Sequence, residues 1–248
     1  MEKIVKILIN RYRKYKKNPD PFVDDIEANK LLNDIENNPH VFVLGCLMDR
    51  RIPAERAWII PHKVFKELKT HNFNKLANIK KEVYINIFNK KRLHKNNTIM
   101  ANVFYEGIQY IKEEYNGDVS KIWRDKPSSK SVVRRFLGFY GCGIKIATMA
   151  ANMLVTNFKI PFSDYSSIDI STDVHIIRVF PRMGFVPPNS SKKTIICKAR
   201  ELYPKFPGII DNPCLKIGKT CCKSNKPDCS NCIVKSECKT ANRRKSGK

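Results

Sequence analysis

Four cysteines crowd into 17 residues near the end of the chain, as Cys222-x6-Cys229-x2-Cys232-x5-Cys238. Thiolates are strong metal ligands. The segment that carries them, CKSNKPDCSNCIVKSEC, is too polar to fold on a core of its own. A metal ion or an iron–sulfur cluster would hold it together, and the spacing alone leaves zinc open. Cys221 and Cys214 lie close by but outside the pattern. Disulfides explain the nine cysteines poorly. The opening MEKIVKILINRYRKYKK has no h-region or cleavage site, so the reading is a chain of a reducing compartment.

A second chemical candidate is VVRRFLGFYGCGIKIATMAANMLV, which reads as helix, tight turn, helix, with the turn at 139–143. Gly141 and Gly143 can take backbone angles denied to other residues. A helix that starts at such a turn leaves unpaired N–H groups at the positive end of its dipole. They can hold a phosphate without reading a base. Lys145 follows in the first helical turn. A cation there is disfavoured by ~0.3–1 kcal/mol, and partial burial would disfavour it further. Both effects favour the neutral amine, which is the nucleophile. The competing reading is a lysine that only reaches for phosphate. Asp173, in STDVHIIRVF, is the matching carboxylate. It can cap the helix it precedes, or stabilise positive charge on a reacting sugar and accept a proton.

The elements that must position these groups are helical. Apolar residues recur at helical spacing over 2–17, 24–36, 75–92 and 98–114, and again over 192–203. Asp24 and Glu27 form the expected capping pair of the second helix. The apolar run 40–48 reads as a buried helix. Residues 158–171 read as a Ser/Asp-rich loop, 174–183 as a helix disrupted at Pro181, and ANRRKSGK as a disordered basic tail. The formal net charge of +24 points to a polyanionic partner, with nucleic acid favoured over an acidic membrane surface. With 42% hydrophobic residues the chain can bury a real core. No apolar run of 18 residues suggests a membrane span.

Three pieces of this sequence resemble the helix–hairpin–helix DNA glycosylases of the endonuclease III type. FYGCGIKIA is similar to that family's L-P-G-V-G-x-K-T-A, which puts Lys145 on its nucleophilic lysine. DVHIIRV is similar to D-T-H-x-x-R-V, which puts Asp173 on its catalytic aspartate. The cysteine spacing matches the family's [4Fe–4S] loop, down to Lys226-Pro227 before the second cysteine. The order agrees, and the likeness covers roughly residues 24–240. It implies an all-α, two-domain helix–hairpin–helix glycosylase fold with a C-terminal [4Fe–4S] cluster loop ligated by Cys222, Cys229, Cys232 and Cys238. The implied domains are 24–157, a bundle ending in the hairpin, and 1–23 with 158–240, carrying the cluster; 241–248 is a basic tail. The cluster is expected to be structural.

The implied function is a DNA glycosylase with AP lyase activity in base excision repair. Its partner is double-stranded DNA with a damaged or mismatched base or an abasic site. The chain would act as a monomer, without a membrane, in the nucleoid-associated cytoplasm of a prokaryote. Gly141, Gly143, Arg50 and Arg51 are the expected DNA contacts. Two alternatives stand beside this: a monofunctional glycosylase using water activated by Asp173, and a cluster-bearing DNA-binding protein without catalysis. The sequence also departs from the family. Tyr140 replaces the hairpin proline, and the stretch between Lys145 and Asp173 is longer. The family's S-A-Q-x-T-D is CLMDRRIPAERAW here, so its gap-filling glutamine is missing and Asp49, Arg50 or Arg51 takes its place. The lesion class therefore does not carry over. A local structural role is expected for His175.

Overall fold

Apolar side chains placed every three or four residues make amphipathic helices, and the chain is built from them. The computed structural model describes residues 1–246. Fourteen α-helices follow in order: α1 (Glu2–Lys17), α2 (Ile26–Asn33), α3 (Pro39–Met48), α4 (Ala54–Trp58), α5 (Ile60–Leu68), α6 (Phe73–Leu76), α7 (Lys81–Lys91), α8 (Asn97–Tyr115), α9 (Ser129–Leu137), α10 (Ile144–Thr156), α11 (Val174–Met183), α12 (Lys192–Leu202), α13 (Asp211–Thr220) and α14 (Lys239–Ser246). Single 3-10 turns occupy Val119–Ile122 and Pro207–Ile210. Among the described residues there is no strand, and no helix is long and apolar enough to cross a membrane.

The chain divides into two units. One comprises 20–127 and 131–154. Its centre is α3, in which every residue from Pro39 to Met48 is buried. A helix apolar on all sides must be surrounded, and α2, α4, α5, α8 and the 119–122 turn pack around it. Phe42 meets Trp58 at 5.9 Å and Trp123 at 6.2 Å between ring centres. On the far side, Tyr84 and Phe88 of α7 pack on Phe104 of α8, each at 5.7 Å.

The other unit comprises 1–19, 128–130 and the chain from Val155 onward. The buried face of α1, Ile4, Val5, Leu8 and Tyr12, lies against α13 and the 207–210 turn. The Tyr12 hydroxyl meets Thr156 Oγ1 at 3.2 Å. α11 is the hub, packed against α12, α13 and α14.

Local expectations fail at three places, the start of α2, Pro181 and the tail, while the 158–171 loop is as expected. Asp25, not Asp24, caps α2, its Oδ1 accepting from the Ala28 N–H at 2.8 Å. Pro181 lies inside α11 instead of disrupting it. The carbonyl its ring leaves without a helical donor is that of Ile177, on an exposed position. The 158–171 segment carries no helix but is firmly pinned. Ser129 Oγ donates to Asp164 at 2.6 Å, the Gly208 N–H donates to the Ile168 carbonyl at 2.7 Å, and Arg200 binds buried Asp169 through two 2.7 Å bonds. The expected disordered tail is helical through Ser246, while residues 247–248 lie outside the described residues.

Candidate active site and nucleic-acid interface

α9 ends at Leu137 and α10 opens at Ile144, leaving six residues for the turn. Buried Phe139 anchors it, edge-on to Tyr110 at 4.7 Å. Its carbonyl accepts the Cys142 N–H at 3.0 Å, which closes the hairpin. Gly141 sits at φ 79°, the left-handed region where a β-carbon is costly. A Cβ there would also lie 2.9 Å from Nη1 of Arg50 and 3.0 Å from Val103. The two glycines therefore differ. Gly143 is not left-handed, and a Cβ on it would meet nothing within 4 Å. Gly143 marks open space against the backbone, where a bulky ligand can approach. Its carbonyl accepts the Ile146 and Ala147 N–H groups, each at 3.0 Å, and starts α10.

Lys145 is the second residue of α10 and is exposed. The partial burial expected of it does not occur. Tyr140, which takes the place of the proline, is 62% exposed at the tip of the turn. The buried face of the helix, Ile146, Ala147, Ala150 and Leu154, fixes which way the hairpin looks. Cys142 lies buried between the glycines, and burial pushes its thiol up to about 12, so it is inert as a nucleophile.

Arg50 and Arg51 follow α3 in the same unit. Arg50 lies beside Gly141 and near Cys142. Arg51 is exposed and held at φ 55°. Left-handed backbone at a β-substituted residue costs about 1 kcal/mol or more, and such strain gathers at functional turns. The structure thus brings Gly141, Gly143, Lys145 and Arg50 into one basic hairpin region of that unit.

Asp173 belongs to the other unit. It is the N-cap of α11: Oδ1 accepts from the His175 N–H at 2.9 Å and the Ile176 N–H at 2.8 Å. The cap leaves Oδ2 outside these two bonds. Val174 beside it is exposed. His175 Nδ1 lies 2.9 Å from Nη2 of Arg178 and so acts as an acceptor, while its Cβ packs on Gly218.

The expected [4Fe–4S] cluster is corrected, and with it the cluster loop and the ligand role of Cys222, Cys229, Cys232 and Cys238. Among the described residues, no group of three or more His, Cys, Asp or Glu side chains is placed to hold a metal ion. The four thiols do line one cavity, together with Cys221, Pro227 and Val234, but its volume is about 20 Å³. That is room for about one water. The thiols there have other partners: Cys238 Sγ donates to the Arg182 carbonyl at 3.3 Å, and Arg182 Nη1 lies 3.5 Å from Cys222 Sγ. Burial pushes Cys232 up to about 11, which makes it a thiol.

What organises this polar segment is α11. Arg178 Nε donates to the Cys222 carbonyl at 2.7 Å and its Nη2 to the Gly218 carbonyl at 2.8 Å. Arg182 donates to the Lys223 and Ser224 carbonyls at 2.6 and 2.8 Å. Val234 is fully buried beneath. The signal was present in the sequence as Arg178-x3-Arg182, two cations on one helix face ahead of a segment rich in unpaired carbonyls.

No protein-family model matches the chain. Endonuclease III of Thermotoga maritima is 23% identical over 215 residues, covering 87% of this chain and 89% of that protein. Among solved structures, a trapped endonuclease III–DNA covalent intermediate superposes with a TM-score of 0.66 at 15% identity, over 99% of both chains. A thermostable thymine-DNA glycosylase superposes at 0.65 and 15%, over 98% of this chain and 97% of that one. The chain therefore has the all-α helix–hairpin–helix fold of these glycosylases.

Proposed function

We propose that this protein is a DNA glycosylase with associated AP lyase activity, acting on double-stranded DNA that carries a damaged or mismatched base or an abasic site. The observation that carries this reading is the hairpin. A left-handed Gly141, an open Gly143 and an exposed Lys145 at the start of α10 sit in a chain whose fold superposes end to end on an endonuclease III trapped covalently on DNA. The net charge of +24 supports a polyanionic substrate.

In this mechanism the damaged nucleotide leaves the duplex stack, at least cost for a weakly paired base. The hairpin amides and Arg50 hold backbone phosphates. Nζ of Lys145 attacks C1′ of the deoxyribose, the C1′–N bond breaks, and the base departs with the electron pair. Asp173 stabilises the positive sugar and receives the proton lost by the amine. Ring opening leaves a Schiff base on Lys145. That acidifies C2′, so β-elimination breaks the bond to the 3′ phosphate.

Borohydride trapping on an abasic duplex tests it. A covalent adduct with the wild-type protein, absent in Lys145→Gln, is the expected result. No adduct with the wild type would instead favour a monofunctional enzyme in which Asp173 activates water. The exposure of Lys145 and the Asp173 oxygen left outside the cap are the observations on that side. DNA affinity with neither base release from damaged duplex nor strand cleavage at an abasic site would overturn both.

A further inference from the structure

α13 meets the first turn of α11 at His175, beside the Asp173 cap. The buried face of α13 is Pro213, Cys214, Ile217 and Gly218. A Cβ on Gly218 would lie 2.6 Å from the His175 Cβ, 3.0 Å from its Nδ1 and 3.1 Å from its Cγ. Carbon atoms do not pack so closely, so only glycine lets the two helices meet there. One guanidinium locks the crossing. Arg178 Nη2 donates to the Gly218 carbonyl at 2.8 Å and to His175 Nδ1 at 2.9 Å, while Nε donates to the Cys222 carbonyl at 2.7 Å. His175 is thus held twice, by its Cβ against Gly218 and by its ring on Arg178. Its own N–H is one of the two that Asp173 Oδ1 accepts. On the other side, the Asp173 N–H donates to the carbonyl of buried Ser171 at 2.8 Å. All these residues belong to one unit.

An N-cap ties a carboxylate to its own helix and needs none of this. The Gly218 contact and the Arg178 bonds go further: they tie the capped turn to a second helix and to the start of the cysteine segment. We propose that Gly218, His175 and Arg178 are positioning residues, which seat the first turn of α11 on α13 and so fix Asp173, with Oδ1 spent on the cap and Oδ2 left outside it for the reaction. They act only through Asp173, and the inference rests on the glycosylase and lyase reading given above. A methyl group on Gly218 must displace the His175 turn, and a misplacement of about 1 Å at a catalytic group can cost ~10²-fold in rate.

The test separates rate from affinity in the full-length protein. The single-turnover rate of strand cleavage is measured on a duplex with an aldehydic abasic site, and the affinity on a duplex with a reduced abasic analogue. Gly218→Ala is expected to slow cleavage by ~10²-fold with affinity unchanged. His175→Leu takes the acceptor from Arg178 and is expected to slow it by ~10-fold. His175→Asn, whose Oδ1 accepts in place of Nδ1, should restore the rate. In an Asp173→Asn background neither Gly218→Ala nor His175→Leu should slow cleavage further. Losses that add to that of Asp173→Asn, a wild-type rate in both single variants, or a fall in affinity that matches the fall in rate would each overturn the proposal. Should Gly218→Ala not fold, the two His175 variants in both backgrounds still decide it. Wild-type protein that cleaves no abasic duplex sinks the lyase reading and this inference with it, whereas normal wild-type cleavage with inert Gly218 and His175 variants sinks the inference alone.

Discussion

The hairpin at 138–143 and the cysteine segment at 221–238 are both short and close to a helix terminus, yet they are held in opposite ways. The hairpin is local. Its geometry follows from Gly141, from Phe139 buried behind it, and from a bond between residues three apart. The cysteine segment is organised from a distance, by Arg178 and Arg182 bonded to carbonyls more than 40 residues downstream. Local patterns can be read in a sequence, while long-range anchoring leaves only a faint periodicity. Cysteine spacing drew attention to the thiols; the carbonyls between them and the arginines that meet them matter more to the architecture.

That contrast can be broken experimentally. The largest effect should fall on the hairpin. Lys145→Gln is expected to abolish covalent trapping, a greater loss than the ~10²–10⁴-fold drop in turnover expected of Asp173→Asn. Asp173→Asn keeps a capping side chain, so its thermal midpoint should stay near wild type, whereas Asp173→Ala should also lose about 1 kcal/mol of stability. Equal stability losses in both would mean the carboxylate charge itself is structural.

In the cysteine segment, Arg182→Ala removes charged donors from two carbonyls and should cost about 2–4 kcal/mol, with faster amide exchange over 221–240. Cys229→Ser should cost no more than ~0.5 kcal/mol. A reversed order of these two variants would show that the thiols, not the arginine, hold the segment. Within the hairpin, Gly141→Ala should cost about 1–3 kcal/mol, because it combines a left-handed backbone with contact on Arg50 and Val103. Gly143→Ala should leave stability unchanged and weaken only DNA binding.

A further effect is on pH dependence. His40 in α3 is buried and pushed down to about 4 by that burial, with Nε2 on the His71 carbonyl at 3.0 Å. Its unfolded counterpart titrates near 6.5, so the unfolded chain binds the extra proton first. The stability it contributes is whole above pH 6.5 and falls towards pH 4, by at most about 1.4 kcal/mol per pH unit. Denaturant midpoints from pH 7 to 4.5 should show that slope, and His40→Gln should flatten it.

Much of the fold was legible from periodicity. α1 and α8 lie where apolar spacing places them, α3 lies on the unbroken apolar run, and Gly141 with Lys145 marks the hairpin. The sequence misleads where several residues compete for one role, as with Asp24 and Asp25 at the start of α2, and where a rule admits exceptions, as with Pro181 inside α11.

The pinned 158–171 segment has a practical consequence. Its length and its serines suggest a place where a protease would cut or an inserted tag would be tolerated. Yet both an Asp169–Arg200 clamp and the Ser129–Asp164 bond tie it down, so a long connection here adds chain without adding freedom. Limited proteolysis should spare it and nick first at 187–191, where the prolines and Asn189 lie exposed between α11 and α12.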